Sequence, residues 1–139
     1  MTVQEHVRRR FEAAAANRFL GLRLVSAGDG AAEVAMPMDD SRLQENGVAH
    51  GGLITALADT AAAYSLLPDL PEGRTMAATE LNVSFLRPAL PDRGELTARA
   101  RTVKRGQQIA VSEVVVVQGG REVARARVSF LFSPSDSRA

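Results

Sequence analysis

The chain has 139 residues and a mass of 14.8 kDa, the size of one domain that buries about 68–70% of its unfolded surface. It has no cysteine, which excludes disulfide scaffolds, thiolate metal sites and cysteine nucleophiles. A formal net charge of +1 and 4% aromatic residues leave no electrostatic or stacking case for nucleic acid.

Lys104 is the only lysine, and all other basic residues are arginines, a pattern better explained by coding bias than by a binding surface. The stretch from Val3 to Asn17 is charged and has no apolar signal-peptide core, and no apolar run reaches the roughly 20 residues of a membrane span. The expected location is the cytoplasm. There is no internal repeat.

Residues 3–16 read as an amphipathic helix, with Val3, Val7, Phe11 and Ala14 at helical spacing and Arg8, Arg9 and Arg10 on the wet side. Two strands follow, Leu20 to Ser26 and Ala32 to Met38, joined by an Asp29-Gly30 turn. Pro37 predicts an edge or a bulge near the second strand's end. A loop runs from Asp39 to Ala49. The segment Gly51 to Leu67 is apolar nearly all round and predicts a buried helix, stopped by Pro68 and Pro71. Four strands then follow, Met76 to Leu86, Glu95 to Val103, Ile109 to Val117 and Arg121 to Phe132. Their short connections, Gly119-Gly120 above all, predict an antiparallel meander. The domain plan is an N-terminal helix (1–17), a main domain (18–133) and a loose polar tail (134–139). This order is an α+β design, an antiparallel sheet curved around one long helix. Such a sheet leaves an open edge and part of the helix uncovered, which predicts a dimer joined edge to edge, with the two central helices facing each other.

The chemistry concentrates between residues 44 and 59. His50-Gly51-Gly52 falls at the predicted helix start, where backbone N–H groups lack intrahelical partners and the dipole is positive. Glycine there permits close approach of a carbonyl; a plain loop-to-helix turn explains the same residues. Asp59 is a carboxylate on a helix that otherwise buries itself, which demands either an arginine partner or a function. Gln44-Glu45-Asn46-Gly47 is a polar loop whose amides can orient a water or a carbonyl; for Asn46 a solvated turn is an equal reading. Gly51 and Asp59 are separated by about 12 Å along one helix axis. One chain cannot bring both to one reacting carbonyl, whereas two antiparallel helices across a two-fold axis can.

The run Asn46-Gly47-Val48-Ala49-His50-Gly51-Gly52 with Ala58-Asp59, and the later Asn82-Val83-Ser84-Phe85-Leu86-Arg87-Pro88, resemble the hotdog-fold acyl-CoA thioesterases of the phenylacetate-pathway (PaaI-type) group. The resemblance covers about residues 18–133. It implies a dimer, usually a dimer of dimers (a homotetramer), and hydrolysis of a thioester to a free acid and coenzyme A without metal or organic cofactor. By position it implies that Asp59 is the nucleophile or general base, that the Gly51 N–H polarises the carbonyl, and that Gln44 orients water or substrate. It also implies that His50 is the loop histidine, a support for the loop more than a proton carrier. Where some members carry a serine on the strand after the helix, this chain has Ala78, with Thr79 beside it, so Gln44 is the main partner for the water.

The physics agrees: a helix-terminal N–H suits a developing oxyanion, and a desolvated carboxylate is the stronger base. Gly52, Asn46 and Tyr64 complete the substrate-binding candidates, Tyr64 pointing to an aromatic or medium-chain acyl group. Arg74, Arg87, Lys104 and Arg105 are candidates for the coenzyme A phosphates, each also readable as solvated surface. Two other readings are a hotdog hydratase or dehydratase, for which His50 lacks the usual context, and a non-catalytic acyl-CoA-binding module. His6 and His50 lack metal-ligand spacing.

Overall fold

The computed structural model describes residues 3–135. Helix α1 (Glu5–Ala13) and the short α2 (Ala15–Phe19) precede strands β1 (Arg23–Gly28) and β2 (Ala31–Met36). The long helix α3 (Gly51–Tyr64) follows, and then β3 (Arg74–Phe85), β4 (Leu96–Arg105), β5 (Ile109–Gln118) and β6 (Arg121–Pro134). Single 3-10 turns lie at Asp40–Arg42 and Leu67–Asp69. Among the described residues no helix is long and apolar enough to cross a membrane.

The six strands form one antiparallel sheet in the order β1-β2-β4-β5-β6-β3. Three of the four late strands make the expected meander, β4-β5-β6, but β3 does not join it at β4. It crosses to the far edge and pairs with β6, from Arg74 opposite Pro134 to Phe85 opposite Ala124. The connection through residues 86–95 is too long for a hairpin, so local turn chemistry does not choose its partner. Tight turns do close the two hairpins read from sequence. Asp29 and Gly30 have φ of 55° and 75°, and Gly119 and Gly120 have φ of 56° and 76°, the paired positive values of a type I′ turn.

Strand β5 shows why the sheet curves onto the helix. Ala110, Ser112, Val114, Val116 and Gln118 are buried in alternation with more exposed neighbours, the period of a half-buried strand. Ala98, Ala100, Ala110, Ala124 and Ala126 line the concave face, and Ala58, Ala61 and Ala62 lie on the buried side of α3. Small side chains on both surfaces let helix and sheet approach closely, with Leu57, Leu66, Leu96 and Met36 filling the larger spaces. Ser65, at the end of α3, bonds to Ser112 at 2.7 Å and lies 3.2 Å from Thr102. This buried hydroxyl cluster fixes the helix end against β4 and β5.

Three sequence expectations are corrected at element ends. The N-terminal helix breaks at Ala14, which is extended (φ −71°, ψ 118°); the Phe11 carbonyl accepts from the Ala14 N–H at 3.3 Å and from the side chain of buried Asn17 at 3.0 Å, two bonds that hold the break. Strand β2 stops at Met36, before Pro37, and lies inside the sheet rather than at its edge. Strand β6 runs through Pro134, and the Ser135 N–H donates to the Gly73 carbonyl, so the tail begins later than expected; residues 136–139 lie outside the described residues. Val7 and Phe11 join the same core as the sheet.

Helix α3 is left partly uncovered within one chain, as an open curved sheet predicts. Gly52 is exposed, and Thr55, Ala56, Asp59 and Thr60 are half-buried along one side. The adjoining β3 is an edge strand, with one row of backbone groups unpaired within the chain.

Candidate active site

The loop before α3 is built around Gln44. Its N–H donates to the Val48 carbonyl at 2.8 Å and its own carbonyl accepts from Gly47 at 2.9 Å. Gly47 has φ of 79°, a conformation that favours glycine. The Gln44 side-chain oxygen accepts from the Asn46 N–H, which leaves the side-chain NH2 as its available group. Leu43 and Ala49 bridge the base of this loop. Asn46 sits exposed at its tip.

His50 is the N-cap of α3. Its Nδ1 accepts from the Gly52 N–H at 2.8 Å, so the neutral ring carries its proton on Nε2. Its carbonyl accepts from Leu53 at 3.0 Å and from Ile54 at 3.3 Å. A helix start leaves four N–H groups open, here those of residues 50–53; His50 donates to the Arg42 carbonyl, and Gly52 and Leu53 donate to His50, which satisfies three. The Gly51 N–H is the one without an acceptor among the described residues. A β-carbon on Gly52 would stand 2.9 Å from the imidazole, so Gly52 accommodates the cap instead of offering its N–H to a ligand.

Gly51 borders a cleft of about 350 Å³ with Gln44, Val48, Ile54, Phe85 and Arg87 among its walls. The structure therefore brings together two of the expected residues around the carbonyl, Gly51 and Gln44, and one of the four expected cations. Arg87 is drawn toward β6, where it donates to the Glu122 carbonyl at 2.8 Å.

Asp59 is elsewhere. It lies two turns along α3, half-buried, and makes no hydrogen bond or ion pair among the described residues. Burial raises its pKa above the ordinary 3.8, because desolvation disfavours the charged form. An unpaired half-buried carboxylate contributes nothing evident to holding the fold.

The other candidates occupy the opposite pole. Arg74 donates to the Gln107 carbonyl at 3.3 Å, and Arg105 donates to the Asp69 carbonyl at 2.7 Å while lying over the Phe132 ring. Both border a smaller hollow with Leu70, Pro71 and Phe132, beyond the C-terminal end of α3. Lys104 is exposed opposite Val111. Tyr64 is buried at that end, edge-on to Phe11 with ring centroids 5.0 Å apart; it packs the N-terminal helix and does not border the Gly51 cleft. Ala78 pairs with the buried Phe130 but is itself exposed within one chain, and Thr79 sits in a β-bulge with its hydroxyl on the Ser129 carbonyl. Among the described residues no three His, Asp or Glu side chains gather in a metal-holding group.

Two residues escaped the sequence reading. Phe85 overhangs Gly51 from the end of β3. Arg42 ties the preceding turn to the Leu20 carbonyl at 2.6 Å, and its own carbonyl accepts from the His50 N–H. Alternation alone places Phe85 on the inner face; no local pattern announces Arg42.

Residues 46–125 match the family described as the thioesterase superfamily. The chain is 32% identical to the acyl-coenzyme A thioesterase PaaI of Escherichia coli over 107 residues, 77% of this chain and 74% of that one. It is 31% identical over 110 residues to the proofreading thioesterase EntH of Klebsiella pneumoniae, covering 78% and 79% of the two chains. In three dimensions it is similar to a thioesterase from Haemophilus influenzae, with a TM-score of 0.87, 26% identity and coverage of 99% and 95%. The Escherichia coli PaaI structure superposes with a TM-score of 0.81, 30% identity and coverage of 90% and 88%. Sequence, topology and the order of residues around α3 agree: the chain belongs to the thioesterase superfamily, has the hotdog fold, and is a thioester hydrolase.

Proposed function

We propose that the protein is an acyl-CoA thioesterase whose active site is shared by two protomers. The observation that carries this reading is the separation of the unpartnered Gly51 N–H, in its cleft, from Asp59, about 12 Å farther along the same helix. Two copies related by a two-fold axis, with β3 edges paired and the open faces of α3 antiparallel, bring Gly51 of one to Asp59 of the other. The open β3 edge and the small residues Gly52, Ala56 and Ala63 beside Asp59 suit that contact.

The thioester carbonyl oxygen accepts from the Gly51 N–H, and the Gln44 NH2 stands beside it. The Asp59 carboxylate either takes a proton from water as the water oxygen attacks the carbonyl carbon, or attacks that carbon itself to give an anhydride that water then opens. In both routes the carbonyl electron pair moves to oxygen, and the helix start stabilises the oxyanion. Collapse breaks the carbon–sulfur bond. A thiolate leaves readily, its conjugate acid having a pKa of about 8.5 in the cysteine case, so no strong general acid is required. It collects a proton, and the products are a carboxylic acid and coenzyme A. Arg87 at one pole, with Arg74 and Arg105 at the other, supplies guanidinium groups for the phosphates.

The test is release of free thiol from a panel of acyl-CoA thioesters by the purified protein, with the Asp59→Asn variant as control. Turnover that persists undiminished in the variant removes Asp59 from the mechanism. No turnover of any panel member by the wild type overturns the acyl-CoA reading.

A further inference from the structure

We propose that Phe85 limits how much bulk an acyl group can carry on the carbon next to its carbonyl; this inference rests on the acyl-CoA reading above. Phe85 ends β3 on the inner face, paired with Ala124, whose small side chain gives the ring no cross-strand support. The ring instead points at α3. A β-carbon built on Gly51 would stand 3.1 Å from Cζ, 3.4 Å from Cε1 and 3.6 Å from Cε2 of Phe85. The tip of the ring therefore takes the space that a side chain at position 51 would need.

That position adjoins the Gly51 N–H, the helix-start group without an acceptor among the described residues. A carbonyl bound there has the ring at its flank, and the substituents on its α-carbon are the atoms that meet it. Apart from Gln44 and Arg87, the remaining walls (Val48, Ala49, Ile54, Leu86, Pro88 and Ala89) are apolar, a surface that suits an alkyl chain. The ring is 55% exposed within one chain, a large apolar surface for a substrate to cover. An unbranched α-carbon passes beneath the ring, whereas a branched one drives a methyl group into it. One misplaced methyl group in an apolar site discriminates by about 10–200-fold.

The experiment compares n-butyryl-CoA with isobutyryl-CoA, isomers that differ only in branching at the α-carbon. Wild-type kcat/KM is expected to favour the straight isomer by at least about 10-fold. Phe85→Ala should bring the ratio close to one, and Phe85→Leu should give an intermediate ratio. Circular dichroism and size exclusion are run on each variant. A wild-type ratio near one overturns the proposal. So does an unchanged ratio in a folded variant, including one whose assembly has altered, since the ring would then serve the subunit contact. If Phe85→Ala does not fold, Phe85→Leu decides. If the wild type hydrolyses neither thioester, the same ratio is measured as Kd with ketone analogues that place a methylene between sulfur and carbonyl. A preference there that Phe85→Ala abolishes supports the steric limit while the hydrolysis reading falls; binding of neither analogue overturns both.

Discussion

Gly51 and Asp59 share helix α3, yet only Gly51 borders the cleft, and Asp59 faces away from it on the open side of the helix. If the two act on one carbonyl across a two-fold axis, the defects are separable. Asp59→Asn and Gly51→Val homodimers are both expected to be inactive. Mixed dimers contain one site with both defects and one with neither. Random exchange makes about half the dimers mixed, so a one-to-one mixture should recover about a quarter of wild-type activity. Tagged co-purification verifies the mixed species. Verified mixed dimers without activity mean that each chain builds its site alone.

Asp59→Asn also separates chemistry from stability. Loss of a general base or nucleophile should reduce kcat by about 10²–10⁴-fold. Burial raises the Asp59 pKa above 3.8, so the ionised form is the disfavoured one in the folded protein. Its unfavourable contribution is absent below the unfolded-state pKa and grows as pH rises through the folded one. Asp59→Asn should therefore melt with the wild type in acid and above it near neutrality. Thermal melts across that range check the sign. A variant that melts lower than wild type at neutral pH would identify Asp59 as a stabilising partner in the assembly.

Gln44 has two ends with different tasks. Its side-chain oxygen holds the Asn46 N–H, and on the proposed mechanism its NH2 meets the substrate or water. Gln44→Glu keeps the first and replaces the second with an acceptor. It should leave the thermal midpoint nearly unchanged and lower kcat about 10-fold or more, with a smaller change in KM. A change in KM alone would restrict Gln44 to binding.

His50 caps α3 through Nδ1, a task that asparagine performs well. His50→Ala should cost about 0.5–2 kcal/mol of stability and lower activity by loosening the helix start. His50→Asn should restore most of both. A well-folded His50→Asn variant with kcat reduced more than about 100-fold would mean that the imidazole moves a proton after all.

Local chemistry made much of this fold legible. Alternation in β5, the glycine turns at positions 30 and 120, and the nearly all-apolar α3 each depend on neighbours in sequence. Gln44, Gly51 and Asp59 stand out as candidates in the sequence because all three fall within one loop and one helix. What stayed hidden depends on distance along the chain. The pairing of β3 with β6 is decided by which edge the long connection reaches, not by turn residues. The break at Ala14 becomes visible only through the bond from Asn17 to Phe11. Tyr64 looked like a pocket residue because its contact with Phe11 joins two segments far apart in sequence. Phe85 over Gly51 is the same kind of relationship, set by the sheet and not by a motif.

Both walls of the Gly51 cleft are anchored to structure outside it. The Ala49 N–H donates to the Ala89 carbonyl at 2.9 Å, tying the loop before α3 to the connection that follows β3. That connection is held to β6 through Leu86 on the Val123 carbonyl. It is held to β5 by Gln118, whose buried amide accepts from the Leu90 N–H and donates to the carbonyls of Leu90 and Gly94. A mouth stitched in this way needs little rearrangement to receive a guest. The ordering entropy that a mobile lid would lose on each encounter is already lost at folding. Capture should then be governed by diffusion and fit, with closure steps contributing little to turnover time.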